Sequence, residues 1–525
     1  MKRVNLLDCT LRDGGYVNDW LFGEECIRGT LNKLAQTGIE LIEVGFLKGT
    51  SYEIDRTLFP NIASFSNIME SKRMNISYVG MLDMSAPVSM ECITFRTAES
   101  IDGIRVIFKK NKMKEAYNYC RHVKDMGYDL YVNFVSTDQY TDREFIDGLA
   151  FFADLHPTGV TIVDTFGMIK KKEFSRLVML ADNNLAEDIT LCYHAHNNLQ
   201  QAFENAQTMV EMNLKRDICI DACVFGMGRG AGNLNLELFA GFMNDNYGTN
   251  YQIAPMLEIM DEYLKDFYQT KFWGYSLPLY LSASHGCHPN YAIFLAERQT
   301  LSVKAFNELL QRIPDEDKRV FSKTAAEKYY REYLEQYVDD KRAVGELTAE
   351  LKSKSVLLLA PGKTLETHKD IILQEIEKSH RLVVAINFID DAFPIEYVFT
   401  SNMRRYTKLP RNKSAKVIAT SNISDSSTAD YVVNFTSYTS SAAPIVDNAG
   451  LMSLHLLQTV GVTDVCIAGM DGYSAKHRNS YLDMDDVSNK FTDYELRNQL
   501  IGEELSKMKS LMNITMLTPT KYEVK

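Results

Sequence analysis

The chain has 525 residues, 45% of them hydrophobic and 24% charged, with a formal net charge of −12 at pH 7. That length exceeds one ordinary core, so two or three domains are expected, in a composition typical of soluble globular proteins. The acidic balance argues against a general nucleic-acid or membrane-surface role, which needs a basic face, but it leaves anionic small molecules open.

The opening Met1-Lys2-Arg3-Val4-Asn5 lacks the apolar core of a signal peptide, and no run is long and apolar enough for a membrane span. A cytoplasmic protein is therefore expected. Nine cysteines include no Cys-x-x-Cys pair, and they read as small buried hydrophobes kept reduced. Zinc-finger spacings are absent.

Short β-branched runs then alternate with longer amphipathic stretches. The candidate strands are Val4–Leu7, Ile39–Val44, Ile76–Met81, Gly103–Phe108, Leu130–Val135, Gly159–Val163, Ile189–His194 and Ile218–Val224. Eight strands at intervals of roughly thirty residues, within about 250 residues, predict a (β/α)8 TIM barrel over 1–250. Several end in polar residues, among them Glu43, Asp83, Lys109, Ser136 and Asp164, at the barrel end where chemistry is expected.

Asp13 follows Arg12 just after the first strand, and His194 and His196 end the seventh. Histidines at i and i+2 of a strand share a face. The first and seventh strands are near neighbours once a barrel closes, so Asp13 can meet the pair across the mouth. One oxygen and two nitrogen ligands suit an octahedral divalent ion with open positions. Mn²⁺ or Mg²⁺ is favoured, with Zn²⁺, Co²⁺ or Fe²⁺ also compatible. Such an ion can chelate a 2-oxo acid and stabilise its enolate, with Arg12 as a fixed cation beside the enolate oxygen. Taken singly, a His-x-His pair can be two polar residues on a half-exposed strand, and Arg12-Asp13 a surface salt bridge.

Gly226-Met-Gly-Arg-Gly-Ala-Gly-Asn233 follows the eighth strand and precedes a helix expected over Leu234–Met243. Glycines allow close backbone approach, and a helix N-terminus attracts anions. Asn233 fits two roles, a metal ligand or orienter and an N-cap. A dinucleotide fingerprint fits poorly after an eighth barrel strand. Lys109 and Lys110 raise an imine mechanism, but the metal set makes it redundant.

Residues 251–350 read as a helical extension, clearest at Met256–Tyr268, Tyr291–Arg298, Val303–Gln311 and Lys323–Tyr337, with a charged linker or solvated helix near its end. A homodimer through this segment is compatible with the pattern. Over 351–525 a second alternation predicts a Rossmann-like α/β domain. Its expected strands are Ser355–Ala360, Val383–Asn387, Tyr397–Thr400, Ala415–Ala419, Tyr431–Asn434 and Thr463–Ala468. Gly362-Lys363-Thr364 suggests a phosphate loop, but Leu357 stands where the first Gly of that motif belongs. A nucleotide or nucleotide-sugar is the expected ligand, against loops chosen only for tight packing.

The N-terminal motifs together resemble the DRE-TIM metallolyase (HMGL-like) superfamily, most nearly its 4-hydroxy-2-oxovalerate aldolase-type catalytic domains. They are Asp8-Cys-Thr-Leu-Arg12-Asp13-Gly14, Ile42-Glu43-Val44-Gly45-Phe46, Asp164-Thr165-Phe166-Gly167, His194-Ala-His196-Asn197 and Gly228-Arg-Gly-Ala-Gly232-Asn233. The resemblance implies Asp13, His194 and His196 as metal ligands, Arg12 at the enolate, Thr165 at the substrate carboxylate, and Asn233 at a position that ligates in some members. It also implies that Leu281–Glu297 covers the site, with His285, His288 and Tyr291 as candidate proton carriers.

Two positions depart from the family pattern. Gly15 stands where the synthases carry Glu, and Tyr16 where the pyruvate aldolases carry His. A free phenol is a poor base at neutral pH. The expected activity is a metal-dependent aldolase joining or cleaving pyruvate, or a related 2-oxo acid, and an aldehyde. The alternatives are a Claisen-type acyl-CoA synthase and a non-catalytic ligand-binding barrel.

Overall fold

In the computed structural model the chain divides into two units, Met1–Pro289 and Asn290–Lys525. The structure describes residues 2–523 except 70, 71, 74, 299, 300, 302, 335–337, 411–413, 424, 425, 427 and 475–492.

The first unit is built on nine strands: β1 (Val4–Asp8), β2 (Leu41–Leu47), β3 (Leu58–Phe59), β4 (Ser77–Asp83), β5 (Gly103–Phe108), β6 (Asp129–Phe134), β7 (Gly159–Asp164), β8 (Thr190–Ala195) and β9 (Ile218–Ala222). They pair in parallel, and β1 bonds to both β9 and β2, which closes an eight-stranded barrel and leaves β3 as an appendage on β2. The eight expected strands are the eight barrel strands. Strand residues alternate between two faces. Outward side chains such as Leu6, Ile42, Ile104 and Ile220 join the large core shared with the helices. Leu7, Cys9, Leu41, Val79, Tyr131, Cys192, Cys219 and Cys223 form a separate small core.

Helices cover the strands with their apolar faces. The helix Asp142–Ala153 starts at a reciprocal cap, in which Thr141 Oγ1 accepts from the Glu144 amide and Glu144 Oε2 accepts from the Thr141 amide. The helix expected at Leu234 begins instead at Leu236, because Leu234 and Asn235 still bridge to the end of β9 through Cys223.

The helical stretch expected over 251–350 is shared between the units. Ala254–Thr270, with a π turn at Met260–Leu264, and Leu277–Ser284 belong to the first, and Val303–Arg312, Lys323–Leu334 and Lys341–Leu351 to the second. The last part of the expected Lys323–Tyr337 helix lies outside the described residues. The charged stretch after Asp339 is an amphipathic helix that buries Leu347 and Leu351.

The second unit contains a seven-stranded, all-parallel sheet: β10 (Ser355–Leu359), β11 (Leu382–Ile386), β12 (Tyr397–Thr400), β13 (Lys416–Thr420), β14 (Tyr431–Val433), β15 (Asp464–Ala468) and β16 (Asn513–Met516). Its order is β14-β13-β12-β11-β10-β15-β16. Six of these strands are the expected ones. The seventh, β16, is a four-residue edge strand with one fully buried side chain, Ile514, too short and too polar to stand out in a periodicity reading. Among the described residues no helix is long and apolar enough to cross a membrane.

Candidate active site

The turn after β1 carries the first group of side chains. Asp8 accepts from the Thr10 amide at 3.0 Å and from its hydroxyl at 2.6 Å, and the same hydroxyl accepts from the Val224 amide at 2.8 Å, tying the turn to the end of β9. Burial pushes the Asp8 carboxyl up to about 7. Residues Thr10–Asp13 make one helical turn on this anchor, with Arg12 and Asp13 both buried. A side chain at Gly15 would run into the indole of Trp20, 2.0 Å from the Cβ position, and Trp20 Nε1 donates to the Arg12 carbonyl at 2.7 Å. Trp20 thus occupies the space where a side chain at position 15 would stand.

Asp13, His194 and His196 converge at the strand ends. Their ligand atoms lie within 4.8 Å of one another, all three residues being buried. The two imidazoles are 5.4 Å apart and nearly perpendicular. Asp13 Oδ1 is 3.9 Å from His194 Nε2, and Asp13 Oδ2 is 3.8 Å from His196 Nδ1. Asn233 Nδ2 donates to Asp13 Oδ2 at 2.6 Å and to the Met227 carbonyl at 3.0 Å. Asn233 therefore orients Asp13 and does not cap the following helix.

Two buried atoms here, His196 Nδ1 and Asn233 Oδ1, make no hydrogen bond. A buried polar atom left unpaired is costly. Lone pairs from a carboxylate and two imidazoles, gathered in one place, fit a divalent cation, so Asp13, His194 and His196 could hold one, with the Asn233 amide bonded to the same carboxylate.

The electrostatics agree with that donor set. Burial alone would raise the Asp13 carboxyl; Arg12 first, then His196 and His194, outweigh it and hold Asp13 well below the usual carboxylate range. Burial pushes the His196 imidazole down to about 4, so it offers a lone pair at neutral pH. Arg12 is ion-paired with Asp13 and donates from Nε to Glu43 Oε2 at 2.6 Å.

The glycine loop closes the site on one side. A Cβ on Gly228 would stand 2.2 Å from Asn233 Nδ2 and 3.1 Å from Asp13 Oδ2, so only glycine admits this approach. Glu237, in the first turn of the following helix, accepts from the Phe225 amide at 2.9 Å and so ties that helix to the loop.

Thr165, just after β7, accepts from the Ser136 amide at 2.8 Å and keeps its own proton to donate. The Tyr16 phenol is pushed up to about 12 by desolvation and then by Asp13. The Arg229 guanidinium lies over the Tyr16 ring, 5.8 Å from its centroid. His288 is 3.1 Å from Arg229 and packs against Phe166, and burial followed by Arg229 pushes its imidazole down to about 3. His285 sits at the C-terminal end of the helix Leu277–Ser284. Tyr291, in the second unit, is fully buried, and its hydroxyl donates to the Asp317 and Val320 carbonyls.

Sequence reasoning did not single out Arg105 or Asp221. Both are buried in the barrel interior, where Arg105 bridges Glu43 and Asp221. The signal was present as one charged residue inside each of two otherwise apolar strands, Gly-Ile-Arg-Val-Ile-Phe and Ile-Cys-Ile-Asp-Ala.

Comparisons with known proteins bear on this unit. The HMGL-like family model matches residues 3–260. A 4-hydroxy-2-oxovalerate aldolase of Roseiflexus castenholzii is 24% identical over 266 residues, covering 50% of this chain and 76% of that protein. An oxaloacetate decarboxylase of Mycobacterium tuberculosis is 22% identical over 240 residues, covering 44% and 67%. The solved HMG-CoA lyase of Brucella melitensis superposes with a TM-score of 0.40 at 16% identity, covering 51% of this chain and 99% of that one.

Proposed function

Residues 3–260 form a domain of the HMGL-like family, within the DRE-TIM superfamily, and from that premise we propose a divalent-metal-dependent carbon–carbon lyase acting on pyruvate or a related 2-oxo acid and an aldehyde. The observation that carries this reading is the convergence of Asp13, His194 and His196 beside the unpaired Asn233 Oδ1, with Arg12 at the same carboxylate. A divalent ion held there supplies a Lewis acid for the 2-oxo and carboxylate oxygens, with Mn²⁺ or Mg²⁺ the best match to the donors.

The chain's own residues supply the rest. Arg12 keeps its charge at any working pH and answers the negative charge that develops on the 2-oxo oxygen when the neighbouring carbon–carbon bond breaks or a proton leaves. Thr165 offers its hydroxyl proton to the substrate carboxylate. Tyr16 holds its proton and serves as donor, and His288, whose Nε2 accepts from Arg229, holds that guanidinium near the Tyr16 ring. Within the ion-paired set alone, Arg12 and Arg105 face Asp13, Glu43 and Asp221, one negative charge in excess that a dication would offset.

Exchange of pyruvate methyl protons with D₂O tests this reading. Exchange that depends on added Mn²⁺ or Mg²⁺ is expected, and none with Mn²⁺, Mg²⁺, Co²⁺ or Zn²⁺ would sink it. Release of pyruvate from oxaloacetate without exchange of free pyruvate would move the assignment to a decarboxylase. Thiol release from acetyl-CoA would move it to a Claisen synthase.

For the second unit we read the sheet as Rossmann-like with a nucleotide or nucleotide-sugar as ligand. The support is the reversal of strand order between β10 and β15, where open α/β sheets place ligands outside the strand ends. Thermal-shift screening of nucleoside diphosphates and their sugars tests it, and a flat response across the set overturns it.

A further inference from the structure

The barrel interior holds a buried circuit of charges that stops one bond short of the proposed metal. Arg105 Nη2 pairs with Asp221 Oδ2 at 2.5 Å and Nη1 with Glu43 Oε1 at 3.3 Å; Glu43 Oε2 in turn accepts from Arg12. Asp221 Oδ2 also lies 3.1 Å from His194 Nδ1. Arg105 is fully buried and Asp221 is 2% exposed.

For a neutral His194 imidazole the chemistry of these groups leaves one arrangement of protons. Arginine only donates, and an ionised carboxylate only accepts. Asp221 paired to Arg105 is therefore an acceptor for His194, so Nδ1 carries the imidazole proton and the lone pair falls on Nε2. Nε2 is the atom that faces Asp13, at 3.9 Å. A neutral imidazole with the other tautomer would present N–H to the same place and could not ligate.

We propose that Arg105 and Asp221 are a positioning pair that locks His194 in the Nδ1–H tautomer with Nε2 turned to the metal site. Through Glu43 the same arginine also aims Arg12. The pair costs the fold something, since burial strips both ions of their hydration. A purely structural role would be served as well by apolar side chains of the same volume, often with no loss of stability. The contact to His194 is what apolar side chains could not replace. Partners of this kind commonly change metal affinity about 10–100-fold when removed.

The inference rests on His194 being a metal ligand. Its test uses the full-length chain labelled with ¹⁵N-histidine, the His194 signal being assigned by its loss in His194→Gln. Nitrogen shifts are expected to show a protonated Nδ1 and a bare Nε2 in the native, metal-free protein. The double variant Arg105→Met/Asp221→Leu is expected to fold, to show mixed tautomers at His194, and to bind Mn²⁺ about 10–100-fold more weakly by calorimetry.

A native His194 protonated at Nε2, or a folded double variant with native Mn²⁺ affinity, overturns the inference. Should the double variant not fold, the native spectrum decides alone. If the native chain binds no divalent ion, the metal reading falls, and the tautomer measurement still settles whether Asp221 locks His194.

Discussion

Both parallel sheets of this protein end their strands in polar side chains, but the two sets meet different fates. In the second unit several of these polar groups pair with one another and with their loops. Thr400 donates to Asn387 Oδ1 at 2.8 Å, Asn422 to the Ser401 carbonyl at 2.9 Å, the Phe435 amide to Ser421 at 3.0 Å, and the Thr364 amide to Asp471 at 2.9 Å. At the barrel mouth the buried groups include the ion pair of Arg12 and Asp13, and two atoms, His196 Nδ1 and Asn233 Oδ1, make no hydrogen bond. Small polar residues at strand ends are what loop packing uses anyway. Two unpaired lone pairs beside a carboxylate and a second imidazole are a costly arrangement that a bound cation would relieve.

Substitution at each mouth should break this contrast most sharply. Asp13→Asn removes the one carboxylate that faces both histidines, and it is expected to abolish Mn²⁺ retention and slow pyruvate exchange on the order of 10³-fold, the scale of losing Lewis-acid assistance. Metal analysis and the exchange rate check it together, and retention of Mn²⁺ at the native level would contradict it.

The buried charges should also give the barrel a pH dependence. Asp8 holds its proton up to about 7 in the folded chain, against an ordinary value of 3.8. Between those values the folded state binds more protons than the unfolded state. Stability from this group is therefore present at low pH and is lost as pH rises through that window, by about 1.4 kcal/mol per unit. Asp8→Asn should remove the slope and gain on the native protein between pH 5 and 7. Both tryptophans, Trp20 and Trp273, lie in the first unit, so denaturation followed by their fluorescence reads the barrel. Parallel pH profiles for the two proteins would refute the prediction.

Gly228→Ala is a geometric test of the same mouth. The added methyl must displace Asn233 from Asp13, and a shift near 1 Å at a catalytic group costs roughly 10²-fold in rate. The expected result is slow exchange with an almost unchanged fluorescence midpoint; native exchange would mean that Asn233 does not position Asp13.

The smallest effect is expected in the second unit. Thr400→Val deletes the hydroxyl bonded to Asn387 and should cost about 1–3 kcal/mol there. Pyruvate exchange and the fluorescence transition should not change, and only the loss of far-UV circular dichroism should shift to lower denaturant. A change in exchange rate would show that the two mouths are not independent.

How far the sequence could be read depended on how local each signal was. The barrel strands stand out because each is a short apolar run between amphipathic helices, repeated eight times. The helix at Lys341–Leu351 was harder, since its two buried leucines are outnumbered by charges. The start of the helix at Leu236 shifted because a backbone bridge to Cys223 outcompetes helix propensity. Sequence proximity grouped His285, His288 and Tyr291 as candidate proton carriers; in the fold His288 lies against Arg229 and Phe166, and Tyr291 is buried within the second unit.

The sequence by itself determined that Asp13, His194 and His196 meet. His194 and His196 share a face by strand parity, and Asp13 lies at the same barrel end by strand order, so each follows from local periodicity and topology. Only the tertiary structure decided what stands behind those side chains. Arg105, Asp221 and Glu43 come from three strands, and Trp20 fills the space beside Gly15 by folding back onto Arg12. Such contacts depend on how far each strand is staggered when the barrel closes, and that stagger is a property of the whole ring with no signature in any one segment.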